Sequence, residues 1–98
     1  MDDLPLYVDI DGTLTDSKKR GGNPIHSRIE YIKYLISEGR PVVLWSATGT
    51  KYAKAFAEAH GIKAIACIGK PRACIDDCGT IRPIGKIVMH HPKDFFAR

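Results

Sequence analysis

Residues 41–45, Pro41-Val42-Val43-Leu44-Trp45, are apolar without a break. A strand with one wet face alternates apolar and polar side chains. An unbroken run therefore points to a strand covered on both faces, as in the interior of a parallel sheet. Upstream of it, Ile25, Ile29, Ile32, Leu35 and Ile36 recur at helical spacing. Asn23-Pro24 suits a helix start, Ser27 and Glu30 offer a capping box just inside it, and Gly39 supplies a stop. Downstream, Thr50 can cap a second helix whose apolar face is Ala53, Phe56, Ala57 and His60, ended by Gly61.

The same reading extends to both ends of the chain. Residues 4–10 are apolar and β-branched near their end, and predict a buried strand. Residues 11–23 lose all periodicity around Gly12, Gly21 and Gly22, and predict a loop folded over something. Further strands are expected at 62–68, 73–75 and 87–89, and a terminal helical turn at 92–96 should dock Phe95 or Phe96 on the core. Strands alternating with helices give an α/β fold with a mainly parallel sheet and right-handed crossovers. Ligands in such sheets bind beyond the carboxyl ends of the strands. Those ends are Asp9 to Thr13, Ser46 to Gly49, Gly69-Lys70 and Asp76-Asp77.

The bulk properties set limits on what such a fold can be. The 98 residues make one domain, 1–98. Hydrophobic content of 44% and charged content of 27% are ordinary globular values. No apolar run approaches the roughly 20 residues of a spanning helix. The acidic start, Met1-Asp2-Asp3, runs straight into a strand and has no secretory pattern. A cytoplasmic protein without a membrane partner is the expectation. Three cysteines, Cys67, Cys74 and Cys78, form no CxxC pair and no even disulfide framework. Cys74 and Cys78 with His90 and His91 match no structural zinc spacing, and free thiols are the simpler reading. The net charge of +4 favours anionic partners.

Asp9 and Asp11 are two apart on an extended segment, so both carboxyl groups can reach the same side. Two such carboxylates repel each other, and a hard divalent cation removes the conflict. Mg²⁺ takes oxygen ligands from one or two carboxylates plus a substrate phosphate. Gly12 allows a tight turn, and Thr13 can orient Asp9. Ser46 offers a hydroxyl beside free N–H groups, Lys70 a cation, and Asp76-Asp77 more carboxylate. Each has a plain alternative: Asp11-Gly12 a turn, Ser46 a helix-start residue, Lys70 a solvated charge, Asp76-Asp77 a polar turn. Their joint order, each just past an expected strand, argues for a site.

In that order the residues resemble the haloacid-dehalogenase-like (HAD-like) phosphatase superfamily over nearly the whole chain. The first motif, DxDGT[LV]T after an apolar strand, is similar to Leu6-Tyr7-Val8-Asp9-Ile10-Asp11-Gly12-Thr13-Leu14-Thr15. The second resembles Val42-Val43-Leu44-Trp45-Ser46, the third Lys70-Pro71, and the fourth Ile75-Asp76-Asp77. The resemblance implies a Rossmann-like three-layer sandwich and Mg²⁺-dependent phosphomonoester hydrolysis. It casts Asp9 as nucleophile and Asp11 as general acid and base. Phosphate would meet Gly12, Thr13, Ser46, Ala47 and Lys70. Asp9, Asp11, Asp76 and Asp77 would serve the metal, with Asp77 the direct ligand of the last pair.

Two departures from the family pattern stand out. No arginine follows the second motif, where Ser46-Ala47-Thr48-Gly49-Thr50 leaves phosphate to backbone N–H groups and Thr48. Lys70 also lies only six positions before Asp76. The stretches 13–23 and 50–70 are too short for the cap domain that relatives insert there, so an uncovered site is expected. Such a site suits a bulky phosphorylated substrate, such as a nucleic-acid end or a protein, near the basic run Lys18-Lys19-Arg20, or else needs a partner subunit as cover. A solvated loop is the simpler account of that run. A phosphotransferase and a non-catalytic binding domain are the alternative functions, and the oligomeric state is left open.

Overall fold

The computed structural model describes residues 4–75 and 90–97. Along the chain run β1 (Leu6–Asp9), α1 (His26–Ser37), β2 (Val42–Ser46), α2 (Thr50–His60), β3 (Ala66–Gly69) and α3 (Pro92–Phe95). Among the described residues the sheet has three parallel strands in the order β1-β2-β3. The unbroken apolar run at 42–45 thus becomes the central strand, as its composition requires. This is a small α/β arrangement compatible with a Rossmann-like fold.

The pleat assigns alternate residues to the two faces. Val8, Val42 and Leu44 form one face and pack with Ile29 and Ile32 of α1, Ala57 of α2, and Leu14 and Ile62. The opposite face has Tyr7 and Trp45, whose rings meet edge to face with centroids 4.8 Å apart. Strands taken consecutively with right-handed crossovers place α1 and α2 on the same face. The described residues therefore form two layers, where three were expected. Phe95 and Phe96 pack against the core, as anticipated, with both rings beside Tyr31.

Several element ends differ from the sequence reading. The first strand stops at Asp9, because the Ile10 carbonyl turns to accept the N–H groups of Thr13, Leu14 and Thr15. No side chain caps α1: Ile25 holds that position, and Ser27 is already inside the helix. Pro24 belongs to an isolated antiparallel bridge with Thr15. The third strand starts at Ala66, not Ile62, because residues 62–65 are spent on the return from α2. There the Ile62 N–H still bonds the Ala57 carbonyl, and pairing begins only when Ile65 donates to Val42. Residues 73–75 do not form the expected strand; they are exposed and pair with nothing among the described residues. The expected strand at 87–89 lies outside the described residues.

Candidate active site

Parallel register brings three strand ends to one edge of the sheet. Asp9 pairs with Trp45, and Ser46 with Gly69. Asp9, Ser46 and the neighbour of Gly69, Lys70, therefore meet although they are far apart in sequence. Asp9, Asp11, Gly12, Thr13, Ser46, Ala47 and Lys70 all line one pocket of about 390 Å³. Among the described residues Lys18, Arg20, Thr48, His91 and Pro92 also form its wall. Asp76 and Asp77 lie outside the described residues.

Asp9 is held at both oxygens. Its Oδ1 lies 3.1 Å from the Lys70 ammonium, and its Oδ2 accepts from the Thr13 hydroxyl at 3.1 Å. Each carboxylate oxygen can accept more than one hydrogen bond, so with respect to the described residues both retain an unused lone pair. The side chains of Asp9 and Lys70 are 32% and 37% exposed, so the pair faces the pocket and solvent. Water weakens its electrostatic gain, and its geometry matters more than its stability.

Lys70 is aimed from two directions. Its N–H donates to the Ser46 carbonyl at 2.9 Å, and the preceding Gly69 N–H donates to Thr50 Oγ1 at 3.0 Å. Gly49 occupies the cap position of α2, and Thr50 is its first helical residue. The Thr50 hydroxyl thus ties the end of β3 to the start of α2 in place of capping the helix. Lys70 also lies 5.6 Å from the centroid of the Trp45 ring, close enough for a cation–π contact.

Ser46 is 2% exposed. Its Oγ accepts the Thr48 N–H at 3.0 Å, and its carbonyl accepts the Gly49 N–H at 3.1 Å. Two of the backbone donors expected to be free for an anion are therefore already engaged. Among the described residues the Ser46 hydroxyl has no acceptor, so its own proton is left to donate.

The loop after β1 is a stapled flap. Thr15, 3% exposed, accepts from Gly12 N–H and donates to the Ser17 carbonyl. Asp16 and Asn23 bond each other through backbone and side chains, and Leu14 anchors the loop in the core. Arg28 of α1 donates to the Thr13 carbonyl at 2.9 Å and lies over the Phe96 ring. Lys18 and Arg20, exposed as a solvated loop would have them, also line the pocket. Among the described residues they join Lys70 to set three cations against the carboxylates of Asp9 and Asp11.

Asp11 has a partner that no local sequence pattern announces. The Tyr52 hydroxyl donates to Asp11 Oδ1 at 2.6 Å across 41 residues. Partial burial, together with that hydrogen bond and the Asp11 charge, pushes the Tyr52 phenol above its usual 10.0. The Gly21 backbone and the Arg20 charge pull the other way. Helical spacing gave Tyr52 a place on α2 but could not name a contact so distant. His91 and Pro92 were likewise invisible, since only the docking of α3 brings them to the pocket.

The thiols contribute little. Burial pushes the Cys67 thiol up, which keeps it neutral on β3, and Cys74 is exposed. Cys78 lies outside the described residues. No group of three metal-ligating side chains comes together among the described residues. Asp9, Asp11 and the Asp11 carbonyl, which accepts no backbone N–H among them, are all hard oxygen donors. No helix there is long and apolar enough to cross a membrane. No family model, curated protein or solved structure matches the chain.

Proposed function

We propose that the chain is an uncapped HAD-like phosphohydrolase that cleaves phosphomonoesters with Mg²⁺, through an aspartyl-phosphate on Asp9. The observation that carries this reading is the position of Asp9. It stands at the carboxyl end of β1, with one oxygen on Thr13, the other on Lys70, and the Ser46 hydroxyl on the same pocket wall. A carboxylate held at both oxygens is preoriented for attack, and most of the remaining work in phosphoryl transfer is neutralising equatorial oxygens. Lys70 has three donors; one holds Asp9 and the others meet phosphate. Ser46 gives its proton to another phosphate oxygen, and the Ala47 backbone and Thr48 extend the cradle.

An oxygen-only donor set suits a hard cation. Asp9 and the Asp11 carbonyl would hold Mg²⁺ with Asp77, supported by Asp76. When bound it would neutralise charge on the phosphoryl group. Asp11 protonates the leaving oxygen, then takes a proton from the water that frees Asp9. Residues 13–23 and 50–70 contain only a flap, one helix and one strand, so nothing inserted there covers the pocket. Among the described residues the pocket is open to water, which favours hydrolysis over transfer to another acceptor. It also admits a bulky phosphorylated end, which the Lys18 and Arg20 side chains would meet.

The deciding experiment is a phosphate-release screen with Mg²⁺ over phosphorylated metabolites and oligonucleotide ends, run beside Asp9→Asn. Turnover by the parent and none by the variant is expected. Activity that survives the substitution would rule out the covalent route.

A further inference from the structure

We infer that the Tyr52 hydroxyl is a positioning group for Asp11, fixing which of its two oxygens carries the proton in catalysis. The inference rests on the phosphohydrolase reading and deepens it. Asp11 follows β1 in the first turn of the flap, where a short side chain could adopt several rotamers. Tyr52 stands on the first turn of α2, a helix whose Ala53 and Ala57 are buried against the sheet. The hydroxyl donor is therefore mounted on a rigid element while its acceptor sits on a loop. The 2.6 Å contact to Asp11 Oδ1 falls at the short end of the O–H···O range, where hydroxyl–carboxylate bonds lie. Among the described residues it is the one hydrogen bond made by the Asp11 carboxyl group.

This leaves Oδ2 for the proton. In the first step Asp9 forms a bond to phosphorus, and the bond from phosphorus to the leaving oxygen breaks with its electron pair on that oxygen. The proton passes from Asp11 Oδ2 to the leaving oxygen, and Asp11 becomes a carboxylate. The Tyr52 hydrogen bond then becomes charge-assisted, so it stabilises the state that proton transfer creates. In the second step water attacks the phosphoryl group, gives its proton to Oδ2, and Asp9 is released.

An acid matters only where the leaving oxygen needs a proton, which separates positioning from general support of the fold. The test compares kcat/KM for an alkyl phosphate and for p-nitrophenyl phosphate, whose leaving phenolate is stable unprotonated. Because kcat/KM reports steps up to aspartyl-phosphate formation, shared hydrolysis of the intermediate does not mask the difference. Tyr52→Phe keeps the ring and its packing. It is expected to lower kcat/KM for the alkyl ester about tenfold or more, and for the aryl ester by a clearly smaller factor. In an Asp11→Asn background the same substitution should lose that selectivity. Equal losses on both esters, or selectivity that persists without Asp11, would overturn the inference while leaving the phosphohydrolase reading intact. A parent chain that turns over neither ester would overturn both.

Discussion

The Lys70 ammonium lies 3.1 Å from Asp9 Oδ1 and 5.6 Å from the centre of the Trp45 ring, so one side chain bridges the ends of all three strands. On the proposed reading a cation here serves the phosphate more than the fold, since both partners of the ion pair are partly exposed. Lys70→Met should therefore lower kcat about 100-fold, on the scale of losing one charge-stabilising donor. The melting temperature should change little. Lys70→Arg should recover part of the activity, because its guanidinium keeps the charge but not the length or the point geometry. Steady-state kinetics and a thermal melt decide it; loss of activity only in step with unfolding would make Lys70 a structural residue.

A second expectation concerns the turn after β1. Gly12 has φ +80°, and a Cβ there would lie 3.0 Å from Lys18 Cγ. Gly12→Ala should cost about 1–2 kcal/mol from the left-handed backbone alone. At about 4–8 °C per kcal/mol for a domain this size, the melting point should fall by roughly 5–15 °C. Gly39 is the control, with φ +93° and open space around it. Gly39→Ala should melt early with unchanged kinetics, whereas Gly12→Ala should also displace Lys18 and impair turnover. Matching kinetic behaviour in the two variants would show that the flap's packing on Gly12 has no bearing on the site.

The arrangement of the sheet was legible because burial writes itself into composition. Val42-Val43-Leu44-Trp45 pointed to an interior strand, and Ile29 and Ile32 gave the inner face of α1 by spacing alone. Side chains that bond across the fold were not legible. Thr50 has the chemistry of a cap, yet its hydroxyl accepts from Gly69, nineteen residues away, and Gly49 takes the cap position. Residues 73–75 have strand-like composition, but a strand exists only where a neighbour pairs with it, and none among the described residues does. In the candidate site, the residues at the strand ends could be named because register follows from the parallel sheet. Tyr52 could not be, because nothing local distinguishes it from any other half-exposed helical tyrosine.

Tyr52 also permits a measurement that needs no substrate. Partial burial and its bond to Asp11 raise the phenol above 10.0. The sign follows directly: a raised folded-state value favours the protonated phenol in the folded state. Its stabilising share is thus complete below about pH 10, the free-tyrosine value, and is lost as pH rises through the folded value. Subtracting the ultraviolet titration of Tyr52→Phe from that of the parent should isolate a phenolate appearing later than free tyrosine. Asp11→Asn should bring that midpoint back down. A difference curve at the ordinary tyrosine position would mean that the hydroxyl does not hold Asp11 in solution.

The last expectation addresses what the pocket admits. Lys18 and Arg20 line it beside Lys70, while the flap carrying them is pinned by Leu14, Thr15 and the Asp16–Asn23 bonds. A pinned flap holds its charges at a fixed distance from the site. A polyanionic substrate would gain from those charges well beyond its terminal phosphate, and a small ester would gain far less. Replacing both with alanine should lower kcat/KM for a phosphorylated oligonucleotide about tenfold at low salt, with a smaller loss for a small phosphoester. Raising salt from about 50 to 200 mM should erode the parent's preference and leave the double variant nearly insensitive, since fewer counterions are then released. If both proteins respond to salt alike, Lys18 and Arg20 are ordinary solvated charges, and the open pocket owes its selectivity to shape alone.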